Sequence, residues 1–252
     1  MESVDRLPVN VGVDVGQIHD PTAICVTEVH QVETGEVKYL NNPTIGHVDS
    51  KGFWIPPRGI DKMMRSEYVI RFIKRLPLNT FYPDVADYIA DMLDNELFEK
   101  RSIKILIDVT GVGRPVYDSL KKKIYLKVNN ANVHHVRFGM QVKLSEKHML
   151  QLKPISFVHG EQYNRSKGTL GKAFLVSKLQ SILQEKRLHA PDTQEVKAML
   201  DELRVYEIKV SDNGKDTYGA KIGKHDDLAT AAGLSCLEDP YDNRISYSGK
   251  VY

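Results

Sequence analysis

The chain has 252 residues, 41% hydrophobic and 27% charged, an ordinary globular composition with enough apolar content for a sizeable core. Lysine plus arginine (35) barely exceeds aspartate plus glutamate (33), so the net charge of +2 excludes a uniformly basic coat and leaves any basic surface local. Cys25 and Cys236 lie far apart in the sequence in apolar contexts, which fits buried free thiols in a reducing compartment better than a disulfide framework or a zinc site, and no stretch reads as a signal peptide or membrane span. A soluble intracellular protein is the expectation.

In chain order, Val9, Val11, Val13 and Val15 alternate with Asn10, Gly12, Asp14 and Gly16, a period-2 strand with valines on one face and Asp14 on the other. Thr22 to His30 predicts a second strand, and Glu33-Thr34-Gly35-Glu36 a reversal into Val37–Leu40. Asn41 to Ile60, broken by Pro43, Pro56 and Pro57, reads as an excursion before a third principal strand at Tyr68–Lys74. Tyr82-Pro83 opens a helix with the apolar stripe Val85, Tyr88, Ile89, Met92, Leu93 and Leu97. Ile103 to Val109 is apolar enough for a strand buried on both faces, with Asp108 at its end. After Thr110-Gly111-Val112-Gly113 a helix carries Pro115 in its first turn, and Val133–Phe138 is expected to complete a strand-helix-strand crossover. A long amphipathic helix follows at Lys172–Lys186, then a short helix at Glu195–Leu203. A hairpin of Val205–Val210 and Tyr218–Ile222 precedes a final helix at about Asp226–Leu237. The tail after Pro240 is polar, and no repeat or composition break divides the chain.

Asp14, Asp108 and the Asp226-Asp227 pair each have a local explanation as turn or helix-cap residues. Their joint placement says more. If the strands ending at Asp14 and Asp108 are neighbours, both acids face the crevice where strand order changes. The last helix, built from Ala229, Ala231, Ala232, Gly233 and Ser235, is slim enough to pack there and present its own acids. Acids gathered this way repel one another unless divalent cations sit among them, and an all-oxygen set suits magnesium or manganese.

GVDVGQIHDPTAICV, ILIDVTGVGRPVYDSL, SKGTLGKAFLVSKLQSILQEKRL and GAKIGKHDDLATAAGLSCL, in this order, resemble the nuclease domain of phage terminase large subunits. The resemblance covers about residues 8 to 238 of a single domain spanning 1–252, with 239–252 as a tail. It implies an α/β, RNase H-like fold: a mixed five-stranded core sheet flanked by helices, with a β-hairpin before the last helix. It further implies that Asp14 bridges two Mg2+ or Mn2+ ions and that Asp108, Asp226 and Asp227 complete the catalytic and metal-binding cluster. Asp20 matches a further family acid near the metals. The implied activity is metal-dependent endonuclease cutting of concatemeric double-stranded DNA, two ions roughly 3.5–4 Å apart serving the attacking water and the leaving 3′ oxygen. Implied partners are the DNA, a packaging ATPase domain, a small terminase subunit and a portal protein; the implied setting is the cytoplasm of an infected bacterium. The chain lacks a G-x-x-x-x-G-K-[ST] phosphate loop, which puts the ATPase on an excised part or on another chain.

Arg114, Lys224 and His225 stand beside the acid motifs, and Lys143, Lys147, Arg165, Lys167 and Lys172 precede or open the long helix, so these cations are candidates for meeting DNA phosphates. Two enzymatic alternatives compete. A Holliday-junction resolvase would share the fold and prefer junctions; an actin- or sugar-kinase-like ATPase also begins with a G-x-D-x-G strand and would need tight ATP binding. A DNA-binding or capsid-docking module with residual acids would show no metal-dependent nicking.

Overall fold

The computed structural model describes residues 7–16, 20–39, 47–48, 50–52, 54–55, 60–99, 101–130, 141–145, 148–160, 162–204, 206–210, 216–220 and 226–242. The elements are β1 (Val9–Asp14), β2 (Ala23–Tyr39), a small hairpin of β3 (His47–Val48) and β4 (Trp54–Ile55), β5 (Ile60–Arg75), α1 (Tyr82–Met92), a 3-10 turn at Glu96–Phe98, and β6 (Ser102–Asp108). They continue with α2 (Gly113–Asn130), β7 (Gln141–Ser145), β8 (His148–Val158), β9 (Tyr163–Asn164), β10 (Thr169–Gly171), α3 (Lys172–Gln184), β11 (Leu188–His189) and α4 (Gln194–Arg204). A hairpin of β12 (Tyr206–Val210) and β13 (Asp216–Ala220) then leads to α5 (Asp227–Ser235).

One mixed sheet of nine strands runs β11-β5-β2-β1-β6-β8-β10-β9, with β7 beside the first half of β8. Its centre, β5-β2-β1-β6-β8, is the expected five-stranded core: β2 is antiparallel to β5 and β1, and β1, β6 and β8 are parallel. Alternation on the parallel strands divides the interior. Val9, Val11, Val13, Ile103, Ile105 and Ile107 pack with Val85 and Ile89 of α1 and Val116 and Leu120 of α2. On the other face, Cys25, Tyr68 and Ile70 meet Leu179 of α3, Met199 of α4 and the small residues of α5, while Leu106 and Ile155 meet Leu175 and Leu234. Both cysteines are buried free thiols, and no described helix is long and apolar enough to cross a membrane.

Three predicted elements differ. Glu33–Glu36 is no reversal: β2 runs on to Tyr39 against β5, with a register shift between Glu33 and Val37 and a positive φ of 81° at Gly35. It is a bulge, where glycine takes the left-handed conformation that a side chain disfavours. The excursion at Asn41–Ile60 contains the β3-β4 hairpin, and β5 begins at Ile60 rather than Tyr68. The parallel strand beside β6 is β8, at His148–Val158; the predicted strand at 133–138 lies outside the described residues.

Candidate metal centre

Asp14 and Asp108 close neighbouring parallel strands. The β1-β6 register pairs Gly12 with Leu106 and Val13 with Ile107, so the two acids that follow lie side by side on one face at the carboxyl edge. That face has room because Gly12 lacks a side chain: an added Cβ would lie 2.0 Å from the Ala231 carbonyl oxygen and 2.5 Å from the Ser235 nitrogen. α5 therefore rests directly on β1, its first turn beside Asp14. Thr27 Oγ1 and Ser235 Oγ, 2.8 Å apart, tie the same helix to β2.

Carboxylate oxygens of Asp14, Asp226 and Asp227 lie within 4.8 Å of one another. Asp226 occupies the N-cap position of α5, yet its side chain makes no capping hydrogen bond. The ordinary reason for an aspartate at that position is thus missing, and its carboxylate turns instead to Lys172, whose Nζ is 3.0 Å from Oδ2. Asp108 is buried and its Oδ1 accepts from the Thr110 amide at 2.7 Å; Thr110 Oγ1 in turn accepts from the Phe157 amide at 2.8 Å. The DVTGVG turn is thereby fastened to β8.

The electrostatics are those of a crowded anionic site. Burial, then the charge of Asp108, then Asp227 and Asp226, push the Asp14 carboxyl well above the usual carboxylate range, against the pull of Lys172. Burial raises Asp108 too, opposed by its Thr110 hydrogen bonds and by Lys172. The donor set is all oxygen, and ions of Mg2+ to Ca2+ size span opposed oxygens about 4–5 Å apart. The three-acid group therefore fits a hard divalent cation, with Asp108 adjacent. Asp20 is exposed and lies outside that group, lining a 310 Å3 groove with Gly16, Thr22 and Phe81.

The basic candidates separate. Lys172 reaches the acids, while Lys167 is exposed in the turn before β10, its amide donating to Asn164 Oδ1 at 3.1 Å. Arg114 is exposed on α2, its Nε 3.4 Å from Asp118 and its guanidinium over the Tyr117 ring. Arg165 turns inward to Glu238, 3.4 Å from Oε1. Lys147, Lys224 and His225, and the side chain of Lys143, lie outside the described residues.

Sequence reading missed two residues that steady the site. Arg75, at the end of β5, pairs with Glu202 of α4, and its Nε stands 3.5 Å from Asp227 Oδ2. Glu202 Oε2 also accepts from the Ala229 amide at 2.8 Å, so one buried carboxylate holds both the arginine and the first turn of α5. The available signal was Glu202 itself, an acid three residues after Met199 on the apolar stripe of α4. Arg75 gave none.

No family model matches the sequence, and no curated protein is significantly similar to it. Among solved structures, the large terminase nuclease from thermophilic phage G20c matches at TM-score 0.53 and 14% identity, covering 92% of this chain and 82% of that one. The same nuclease with bound magnesium matches at TM-score 0.51 and 15% identity, with 92% and 82% covered. The nuclease domain of the large terminase subunit gp2 of bacterial virus Sf6 matches at 0.50 and 13%, with 92% and 89% covered. The chain therefore has the RNase H-like fold shared by large-terminase nuclease domains.

Proposed function

We propose that residues 8–238 form the nuclease of a viral genome-packaging terminase, a metal-dependent endonuclease that cuts concatemeric double-stranded DNA. The observation that carries this reading is the meeting of Asp14 with Asp226 and Asp227 within 4.8 Å, from opposite ends of the chain, beside Asp108 on the adjoining strand. Its support in comparison is the shared fold, one neighbour of which was solved with bound magnesium.

Asp14, Asp108, Asp226 and Asp227 would hold two Mg2+ or Mn2+ ions, Asp14 being the acid between the two groups and Asp20 an outer candidate. Such ions supply an activated water and charge for the leaving 3′ oxygen. The chain's own part is placement. Parallel strands fix Asp14 and Asp108, the Gly12 contact and the Arg75–Glu202 pair fix α5, and Lys172, Lys167 and Arg114 offer cations to the phosphates of the substrate. Contacts of that kind read backbone rather than sequence. The packaging ATPase, small subunit and portal protein, and the cytoplasm of an infected bacterium, belong to the same proposal.

The test is nicking of supercoiled plasmid. Cleavage is expected with Mg2+ or Mn2+, little or none with Ca2+, whose longer and more variable coordination suits these sites poorly, and none in excess chelator. Full activity in chelator would overturn the metal reading; intact plasmid with every ion would overturn the nuclease reading.

A further inference from the structure

We propose that Lys172 is a built-in counter-ion of the acid cluster: its ammonium stands in for a divalent cation in the metal-free protein, and cation binding displaces it. This rests on the metal-centre reading above and adds to it a residue that competes for the site.

Lys172 is the first residue of α3. Aligned peptide dipoles make that end of a helix positive, the N-cap Gly171 supplies no side-chain bond, and the first turn contains no acid. A lysine has the wrong sign for this position, so the helix itself gives no reason for it. The reason lies 54 residues away in sequence, where Asp226 Oδ2 receives Nζ at 3.0 Å. β10 runs parallel to β8, which itself lies parallel to β6, and this brings the start of α3 to the edge where Asp108 ends its strand. The same charge acts favourably on both Asp14 and Asp108. One ammonium thus serves acids from three different elements, as a bound cation would.

The geometry also marks it as releasable. The Lys172 side chain keeps about a third of its surface exposed (32%), and its Nζ lies 5.6 Å from the centre of the Phe157 ring, an alternative resting place for a cation. Arg75, the other cation at the cluster among the described residues, is about as exposed (31%) but is built differently. It pairs with Asp227 and Glu202 together, and Glu202 also holds the α5 backbone, so Arg75 is a fixed strut. Lys172 hangs on a flexible four-carbon stem. A dication entering the carboxylates exchanges with its ammonium, which then remains at the mouth of the site facing incoming phosphate.

The experiment measures Mn2+ binding to the DNA-free chain by calorimetry and by the electron-spin signal of unbound Mn2+, for wild type, Lys172→Gln, Lys172→Arg and Lys167→Gln. Lys172→Gln is expected to bind Mn2+ roughly five- to tenfold more tightly, because one charge at this range has been removed from competition. Its metal-free melting temperature should fall, since the acids then lack their counter-ion. Lys172→Arg, which keeps the charge, should stay within about twofold of wild type, as should the exposed Lys167→Gln. Equal or weaker Mn2+ binding by Lys172→Gln would overturn the proposal. An equal gain from Lys167→Gln would also overturn it, by showing only a diffuse field. Failure of the nuclease reading looks different: wild type would bind Mn2+ and leave plasmid DNA intact, with the Lys172 result unaffected.

Discussion

Asp14 is where strand geometry and charge meet. It follows three fully buried valines on the opposite face, and four other charged groups act on its carboxyl. Asp14→Asn keeps the size and removes the carboxylate proposed to be shared by the metal ions. Cleavage should fall by about three or more orders of magnitude in the plasmid assay. The fold should survive, and the metal-free melting temperature should be equal or higher, because neutralising one of several mutually repelling acids relieves the cluster. Added Mg2+ should then raise the melting temperature of wild type more than that of the variant, since only a ligand that prefers the native state stabilises it. A folded variant that cuts at the wild-type rate would sink the assignment, and a variant unfolded without metal would mark Asp14 as a structural turn residue. The four acids were legible in the sequence because each sits where an element begins or ends, positions that a hydrophobic pattern locates well. The groups that hold them were not. Thr110, Arg75 and Glu202 act through contacts 27 to 127 residues away, and a long-range pairing leaves no trace in local periodicity.

At the scale of elements, α5 is built largely from small residues and its position depends on Gly12. A methyl group there meets the backbone of α5 itself, at the Ala231 oxygen and the Ser235 nitrogen, neither of which can rotate away. Gly12→Ala should therefore cost about 1–3 kcal/mol as an overpacked contact, and by lifting α5 from β1 it should reduce the stabilisation gained from Mg2+. Gly35→Ala is the control. Its φ of 81° makes alanine strained, but an added Cβ has nothing within 4 Å, so it should cost about 1–2 kcal/mol and leave the Mg2+ response unchanged. Chemical denaturation with and without Mg2+ reads both; equal loss of the metal response in the two variants would show that α5 is not the sensitive element. The order of elements from β1 to α5 was largely readable, and its errors have two causes. A bulge keeps a long strand going through residues that resemble a turn, so β2 looked like two strands and β5 like half of one. β8 was hidden because Pro154 and the polar residues Gln151 and Lys153 interrupt its apolar run, although it pairs with β6 over seven residues. Lys153 is there for another reason.

That reason belongs to the whole molecule. Glu238, three residues past α5 and almost fully buried, receives Lys104 Nζ at 2.8 Å from β6, Lys153 from β8 and the Tyr163 hydroxyl from β9, while its backbone oxygen accepts from Asn10 Nδ2 of β1 at 2.8 Å. One residue thus fastens the exit of the last helix to four strands, on the same sheet face as the acid cluster. Burial acts to raise its carboxyl, but Lys104, Lys153 and Tyr163 outweigh burial and hold it down at about 2. Against about 4.3 in an unfolded chain, the unfolded state takes up the proton first as pH falls. This stabilisation is therefore complete above about pH 4.3 and lost towards pH 2, amounting to about 3 kcal/mol. Asp14 and Asp108 have the opposite sign. Their folded values are raised, so the folded chain takes up protons first, and metal-free stability rises as pH falls from neutrality through those raised values. The metal-free protein should thus be most stable in mild acid, and Mg2+ at neutral pH should remove most of that rise by replacing protons as the neutralising charge. Glu28, paired with Arg71 and Arg101, is also held low and shares the acid limb, so Glu238→Gln should remove part of that limb while lowering stability at pH 7. Urea unfolding between pH 2 and 8, with and without Mg2+, resolves the two limbs. An acid limb identical in wild type and Glu238→Gln would show that the clamp contributes nothing. A metal-free stability that falls steadily from pH 7 downward would show that the acid cluster is not under electrostatic strain.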